Sequence, residues 1–82
     1  MAHYIYILRC ADDSLYTGYA VNVEERLKEH NGEGKKAGAK YTRGRRPVTL
    51  VYKQRFKTRS NAMKREAAIK QLSKKEKEHL IM

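Results

Sequence analysis

Short runs in which apolar side chains recur at alternate positions predict two strands near the start of the chain. At positions 4–10 the apolar residues occupy both alternation sets, which is typical of a strand covered on both faces. This run is therefore expected to be the central strand of a sheet. Turn-forming residues follow at positions 12–14, and a second β-prone run covers positions 15–19. Together the two runs predict an antiparallel hairpin.

The register of this hairpin decides which side chains share a face of the sheet. A three-residue loop at positions 12–14 would place Cys10 opposite Tyr16, and Tyr16 on the same face as Tyr6. A loop with an even number of residues would place the two tyrosines on opposite faces, and we expect the odd loop. Gly18 ends the second run, where a residue without a Cβ lets another group approach closely.

A capping pattern predicts a helix over positions 23–30. Asn22 is an N-cap residue and Glu25 follows it by three positions, while Asn31 and a glycine end the helix. Val23 and Leu27 mark the buried stripe, and the glutamates at positions 24, 25 and 29 are expected on the exposed surface.

Two basic residues lie beside this buried stripe. Arg26 and His30 are four residues apart, so both lie along the flank of the buried face. A fixed charge is costly there, which makes both residues candidates for function. The alternatives are an Arg26 side chain that reaches out to solvent and a His30 that is favoured by the helix dipole.

The remainder of the chain predicts a basic loop, a third strand and two helices. Positions 32–46 contain four glycines and six basic side chains, which is typical of a loop, with a short helical turn near Ala39. After Pro47, apolar residues at positions 48, 50 and 52 alternate with positions 49, 51 and 53 and predict a strand. Ser60 is expected to cap a helix that runs through Leu72, and a Ser-x-x-Glu capping box at positions 73–76 opens a final helix.

The element order β-β-α-β-α-α predicts an α+β fold, in which a three-stranded, mostly antiparallel sheet is flanked by helices. A chain of 82 residues is too short for two independent cores, so we expect a single domain over positions 1–82. We also expect a monomer. The one cysteine cannot form an intramolecular disulfide, and neither a signal peptide nor a run of transmembrane length is present. We therefore expect a soluble, cytoplasmic protein without a membrane partner.

The charge of the chain predicts a polyanionic partner. There are 19 Lys and Arg residues against 9 Asp and Glu residues, for a formal net charge of +10. This surplus causes self-repulsion unless a polyanion offsets it, and nucleic acid is the expected partner. The alternative is a basic protein that is merely soluble, or a structural protein bound to the ribosome.

Glu66 is the candidate metal ligand. It borders the apolar face of its helix, between Ala62 and Ile69. One carboxylate can hold a single Mg²⁺ ion together with water and a substrate phosphate, whereas a two-metal nuclease needs several carboxylates. The alternative is that Glu66 forms an ion pair with Arg26 or with a lysine.

Several tyrosine hydroxyls are expected to be used, because the chain has six tyrosines but only one phenylalanine. The alternative for any one tyrosine is simple packing. A phenol or an imidazole can transfer a proton from water, a guanidinium can stabilise a phosphate, and a carboxylate can hold a metal. These groups together predict a phosphodiester hydrolysis site that contains Tyr6, Tyr16, Arg26, His30 and Glu66.

Four motifs in order resemble the GIY-YIG nuclease superfamily. They are Tyr4-Ile5-Tyr6, then Tyr16-Thr17-Gly18 after nine intervening residues, then Arg26 with His30, and then Glu66. The chain is most similar to the small stand-alone bacterial group whose members consist of little beyond this domain. The run at positions 40–52, KYTRGRRPVTLVY, matches the loop and third strand of that group.

The resemblance implies a metal-dependent DNA endonuclease, or a nuclease-like DNA-processing protein, that uses one divalent cation, Mg²⁺ or Mn²⁺. Tyr6 and Tyr16 would orient or deprotonate the attacking water, with the general base differing between proposals. Arg26 would stabilise the scissile phosphate, His30 would match a histidine found in some members, and Glu66 would bind the metal.

Three positions depart from the family pattern. Tyr4 stands in place of the glycine of the first motif, and Thr17 stands in place of an apolar residue of the second. Tyr19 stands where some relatives carry a lysine near the catalytic water. A general-base scheme that depends on that lysine therefore does not apply to this chain.

The basic loop is expected to bind the backbone of DNA, or of RNA. Backbone contacts carry no base code, so the targets would be DNA structures or damaged sites rather than sequences. The alternatives are a non-catalytic DNA- or RNA-binding module and a recruitment module that works with a targeting protein. The expected contact residues are Lys35, Lys36, Lys40, Tyr41, Arg43, Arg45 and Arg46.

Overall fold

Three strands and four helices make up the fold in this computed structural model, which describes residues 1–33 and 40–82. In chain order the elements are β1 (His3–Arg9), β2 (Leu15–Ala20), α1 (Val23–His30), α2 (Lys40–Arg43), β3 (Thr49–Phe56), α3 (Arg59–Lys70) and α4 (Lys74–Ile81). The strand order is β2-β1-β3 and both pairs are antiparallel. The predicted α+β class and the central position of β1 are confirmed. The helical turn expected near Ala39 lies outside the described residues. Helix α2 begins at Lys40, where the described residues resume.

Two hydrophobic clusters bury the two faces of β1, as its double apolar pattern predicted. Helix α1 packs on one face of the sheet, and α3 and α4 pack on the other. The α1-side cluster contains Tyr6, Leu8, Cys10, Ala20, Val23 and Val48, and the cluster on the α3 side contains Ile5, Ile7, Leu15, Ala62 and Ile69.

None of the helices in residues 1–33 and 40–82 has the length and apolar composition that a membrane span requires.

The hairpin between β1 and β2 has a longer loop than predicted. Leu8 lies opposite Tyr16 and Tyr6 lies opposite Gly18, so the two tyrosines share a face as expected. The expected pairing of Cys10 with Tyr16 is wrong. Cys10 leaves the strand and forms part of the turn, because its N–H donates to the carbonyl of Ser14 at 2.8 Å. The loop still holds an odd number of residues, which preserves the shared face.

Strand β3 breaks the alternation that its sequence predicts. Ile7 lies opposite Tyr52, whereas Leu8 lies opposite Leu50, so a β-bulge leaves Val51 as an extra residue. As a result, Leu50 packs on the α1 side, while Val51 and Tyr52 both pack on the α3 side. The predicted common face for positions 48, 50 and 52 is therefore wrong beyond Leu50.

Two of the three predicted helix caps are confirmed. The side chain of Asn22 accepts from the N–H of Glu25 at 3.0 Å, and α4 begins with the predicted capping box. The expected cap of α3 at Ser60 is wrong, since Thr58 accepts from the N–H of Asn61 at 3.2 Å. Thr58 has the extended backbone that an N-cap residue requires, and Ser60 already lies within the first turn.

Replacing Thr58 with alanine is expected to destabilise the protein by about 1 kcal/mol, because the first turn of α3 loses its acceptor. Thermal unfolding should show a decrease in Tm of about 4–8 °C. Ser60→Ala is the matched control, and it should leave Tm unchanged or raise it slightly, since alanine is the better helix former. A larger decrease for Ser60→Ala than for Thr58→Ala would contradict the observed cap.

Candidate active site

The hydroxyl of Tyr6 lies at the centre of the predicted site. Tyr6 is 1% exposed and its ring crosses over Gly18 of the edge strand β2. A Cβ at Gly18 would lie 2.4 Å from the Tyr6 hydroxyl and 2.5 Å from the ring carbon that carries it. The close approach expected at Gly18 is therefore made by Tyr6, and the position of the phenol requires a glycine there.

His30 connects Tyr6 to the basic loop through a buried hydrogen-bond chain. Its Nε2 lies 2.9 Å from the Tyr6 hydroxyl, and its Nδ1 lies 2.8 Å from the hydroxyl of Thr42 in α2. His30 and Thr42 are both 0% exposed. His30 is the last residue of α1, so its ring reaches across the α1 side of the sheet toward both partners. The sequence did not indicate a role for Thr42, which lies in the run at positions 40–52 but outside the four motifs of the predicted site.

The electrostatic surroundings of Tyr6 include the other predicted groups. Burial and, to a smaller extent, the neighbouring Tyr16 raise the pKa of Tyr6 to about 12. The Arg26 guanidinium interacts with the phenol and opposes this increase in pKa, whereas the Glu66 carboxylate adds to it. Tyr6 is therefore a protonated phenol at neutral pH, with a cation from α1 and an anion from α3 nearby.

His30 is neutral at physiological pH. Burial is the largest cause that lowers its pKa to about 4, and the positive charges of Arg26 and Arg46 act in the same direction. Glu29 raises the pKa, with an effect smaller than that of Arg26 and larger than that of Arg46. A neutral imidazole has one nitrogen that carries a proton and one that accepts, so it can take part in proton transfer without a permanent buried charge.

The low pKa of His30 predicts that the protein loses stability as the pH falls below about 6.5. The unfolded chain binds a proton at His30 between pH 6.5 and 4, whereas the folded protein does not, so protons favour unfolding. The expected loss is about 2 kcal/mol at pH 5 relative to pH 8. Urea unfolding at both pH values measures it, and His30→Gln should remove most of the difference. An equal pH dependence in the wild type and the variant would contradict this assignment.

An aromatic chain runs from His30 toward the surface. The ring of Tyr16 lies 5.1 Å from that of His30, and the ring of Tyr41 lies 5.6 Å from that of Tyr16, measured between centroids. The guanidinium of Arg45 covers Tyr41 at 4.1 Å and pairs with Asp12 in the hairpin turn at 3.0 Å. Tyr41 remains 39% exposed. The ion pair with Asp12 thus fixes the Arg45 side chain, and the stacked guanidinium keeps the Tyr41 ring next to the site.

The guanidinium of Arg26 is bound by Glu29, which was expected on the exposed surface. The guanidinium donates to Glu29 at 2.9 Å, and Glu29 is only 8% exposed, so the expected exposed position of Glu29 is wrong. The spacing of three residues between them on α1 was the signal that could have revealed the pair. Both residues line a cleft of about 310 Å³, and the remaining lining residues are Tyr19, Ala20, Val21, Asn22 and Glu25.

Glu66 lies on α3 and pairs with Lys70 one turn later, with 3.7 Å between the carboxylate and the ammonium. Of the two ion pairs that the sequence left open, the structure shows the one with a lysine. The Glu66 side chain is 20% exposed. Within residues 1–33 and 40–82 no group of three His, Cys, Asp or Glu side chains could hold a metal ion. A single accessible carboxylate still fits a Mg²⁺ or Mn²⁺ ion that takes its other ligands from water and phosphate.

The predicted nucleic-acid contacts divide into exposed and structural groups. Lys40 and Arg43 are exposed on α2, beside Tyr41. Arg46 donates to the carbonyl of His30 at 2.7 Å and lies close over Gly32, so it also holds the end of α1. Lys35 and Lys36 lie outside the described residues.

A polar pair near the cleft was not foreseen. His3 Nδ1 lies 2.6 Å from the hydroxyl of Tyr19, and the guanidinium of Arg59 lies 5.7 Å from the Tyr19 ring. Tyr19 itself lines the cleft. Tyr19, one of the three positions that depart from the pattern of the resemblance, is thus held by a histidine.

Comparisons with known proteins show a family and several relatives to which this chain is similar. A family model described as the GIY-YIG catalytic domain matches residues 2–79. A UPF0213 protein of Natronomonas pharaonis is 58% identical over 80 residues, which cover 96% of this chain and 89% of that protein. A UPF0213 protein of Staphylococcus haemolyticus is 54% identical over 79 residues, which cover 96% of this chain and 93% of that one.

Two solved structures share the fold. The solution NMR structure of a UPF0213 protein from Bacillus halodurans has a TM-score of 0.62 and 49% identity, and the match covers 99% of this chain and 83% of that one. The solution NMR structure of a protein from E. faecalis has a TM-score of 0.66 and 49% identity, with the same coverage of 99% and 83%.

Proposed function

Because the chain belongs to the GIY-YIG family and has its nuclease-type fold, we propose that it is a metal-dependent endonuclease that hydrolyses phosphodiester bonds in DNA. One observation carries this proposal. The buried hydroxyl of Tyr6 contacts a neutral His30 within the fields of Arg26 and Glu66. A purely structural tyrosine would need only one hydrogen-bond partner, whereas this arrangement combines a proton path with charges suited to a phosphate.

Tyr6, Tyr16 and His30 would move the proton of the attacking water. The phenol of Tyr6 can accept that proton while it gives its own to Nε2 of His30, 2.9 Å away. The binding of a phosphodiester monoanion beside Arg26 would offset the positive charge that lowers the pKa of His30. Substrate binding would thus make His30 a stronger base.

Arg26 would stabilise the negative charge that develops on the phosphate. Its side chain is 31% exposed, so one side of the guanidinium is open to a ligand while Glu29 fixes the other by a hydrogen bond. A guanidinium that is already oriented needs little reorganisation when the charge develops. Tyr6, Tyr16, His30 and Glu66 do not line the cleft. Arg26 lines it and also interacts with the Tyr6 phenol, so we place the scissile phosphate beside the open side of the Arg26 guanidinium.

Glu66 would hold the divalent cation, Mg²⁺ or Mn²⁺, and would exchange Lys70 for the metal when it binds. A bound cation would supply positive charge to the phosphate oxygens and the leaving group. Tyr6, Tyr16, Arg26 and His30 are therefore assigned the catalytic positions, and Glu66 the metal position.

DNA, or RNA, would be bound through its backbone by the exposed basic residues of α2 and its neighbours. Lys40 and Arg43 are solvent-exposed and flank the half-open Tyr41. Contacts to phosphates give salt-sensitive affinity with little sequence preference, so DNA structures or damaged sites are the proposed targets. We further propose a cytoplasmic, monomeric, single-domain protein that is directed to its targets by a partner protein.

Cleavage of defined DNA tests the proposal. Supercoiled, branched and single-stranded DNA are incubated with the purified protein with and without Mg²⁺ or Mn²⁺. We expect nicks only with metal, and no cleavage by Arg26→Ala. The absence of metal-dependent cleavage on all three substrates would overturn the endonuclease proposal.

The second candidate function is a non-catalytic nucleic-acid-binding module, which the net charge of +10 favours. Binding without cleavage would support it. In that case Lys40→Gln and Arg43→Gln should weaken DNA binding. Arg26→Ala and Glu66→Ala should bind DNA as the wild type does and, like the wild type, should leave the DNA uncleaved.

A further inference from the structure

We propose that Thr42 is a positioning residue that fixes the tautomer of His30, so that Nδ1 carries the proton and Nε2 faces Tyr6 as an acceptor. This inference rests on the proton-transfer role proposed for Tyr6 and His30. Thr42 lies outside the four motifs that define the site. It contacts His30 from α2, in the basic loop, rather than from the sheet or from α1.

The two hydrogen bonds that the ring of His30 makes with other described residues permit two arrangements. In one, Tyr6 donates to Nε2 and Nδ1 donates to the hydroxyl of Thr42. In the other, Thr42 donates to Nδ1 and Nε2 donates to Tyr6. Since the imidazole is neutral, the partner of one nitrogen determines the proton on the other.

Arg26 distinguishes these two arrangements. A guanidinium has only donors, so its interaction with Tyr6 uses a lone pair of the phenol oxygen. The phenol is protonated, because burial raises its pKa to about 12, and its own hydrogen points to an acceptor. Nε2 of His30 is 2.9 Å away and serves as that acceptor. Nδ1 must then carry the proton of the imidazole and donate it to Thr42.

The position of Thr42 is itself fixed by its neighbours. The N–H of Arg45 donates to the carbonyl of Thr42 at 3.0 Å, and the guanidinium of Arg45 donates to the carbonyl of Tyr41 at 2.8 Å. The same short helix exposes Lys40 and Arg43 while it buries Thr42 completely. One element thus carries both the proposed DNA contacts and the group that orients His30.

Nitrogen NMR of selectively labelled histidine tests the assignment directly, without DNA or metal. At pH 7 the ¹⁵N shifts of His30 show which ring nitrogen carries the proton, and His30→Gln identifies its signals. We expect the Nδ1–H tautomer in the wild type and in Thr42→Ser. We expect a larger share of the Nε2–H tautomer in Thr42→Val, which replaces the acceptor of the Nδ1 proton with a methyl group. An Nε2–H tautomer in the wild type would overturn the proposal, and that spectrum decides the assignment even if a variant fails to fold.

Cleavage kinetics provide the second measurement. Thr42→Val should lower kcat by about 10- to 100-fold with little change in KM, and Thr42→Ser should restore most of the loss. Equal kcat values for Thr42→Val and the wild type would contradict the positioning role. If the wild type cleaves no substrate but has the Nδ1–H tautomer, the proposed function fails while the assignment of Thr42 to His30 stands.

Discussion

Replacing Glu66 with alanine or glutamine is expected to reduce metal-dependent cleavage by about 10²–10³-fold, because the proposed cation would lose its only protein carboxylate. Mn²⁺ binding, measured by electron paramagnetic resonance with an uncleavable phosphorothioate oligonucleotide, should weaken in the same variants. The fold should be little affected. Glu66 pairs with a lysine whose side chain is 54% exposed, and such pairs contribute about 0–1 kcal/mol.

Lys70→Ala is the matched control for Glu66. It removes the same ion pair but leaves the carboxylate in place, so cleavage and Mn²⁺ binding should be unchanged or slightly stronger. If Glu66 served only as the partner of Lys70, the two substitutions would have equal effects on stability and neither would affect cleavage. That outcome would leave the ion-pair alternative and remove Glu66 from the site.

Gly18→Ala is expected to displace Tyr6 and to lower cleavage by about 10²-fold, since small displacements of a reacting group have effects of this size. The new Cβ would lie 2.4 Å from the Tyr6 hydroxyl, and the buried ring would have to move away from His30. Overpacking of this kind costs about 1–3 kcal/mol, which exceeds the gain of about 0.5–1 kcal/mol from replacing a strand glycine. Urea unfolding measures the loss of stability, and NMR contacts between Tyr6 and His30 measure the displacement of the ring.

Gly44→Ala provides a matched substitution of the same chemistry. A Cβ at Gly44 would meet nothing within 4 Å among the described residues. Its cleavage should therefore equal that of the wild type, and its stability should be unchanged or slightly higher. A Gly18→Ala variant that behaves like Gly44→Ala would show that the close contact between Tyr6 and Gly18 is not needed.

The sequence predicted those parts of the fold that depend on neighbours along the chain. The double apolar pattern of β1, the Asn22 cap and the capping box of α4 are local signals, and all three are confirmed. The bulge at Val51 could not be predicted in this way. It reflects how β3 fits against β1 and α3 at once, so a regular alternation in the sequence does not reveal it. The cap of α3 was misplaced by two residues because Thr58 and Ser60 have similar capping chemistry.

The site was predicted where single residues carry distinctive chemistry, and it was missed where tertiary contacts give ordinary residues a role. Tyr6, Tyr16 and His30 lie in contact, as their positions in the hairpin and on α1 suggested. Glu29 and Thr42 have common side chains in unremarkable local patterns. Their burial depends on the packing of α1 and α2, which the sequence does not encode locally. The roles of the five proposed catalytic and metal residues remain predictions for the experiments described above.

Asn31, which ends α1, also closes the basic loop at its base. Its side-chain amide donates to the carbonyl of Val48 at 3.0 Å and accepts from the N–H of Val48 at 2.7 Å, as a neighbouring strand would. The side chain of Asn31 therefore joins the two ends of the segment at positions 32–47. When the ends of a loop are already joined, doubling its length adds only about 0.6 kcal/mol of closure cost. This segment is thus a natural graft site, where a foreign recognition loop that retains Thr42 could retarget the proposed nuclease without redesign of its core.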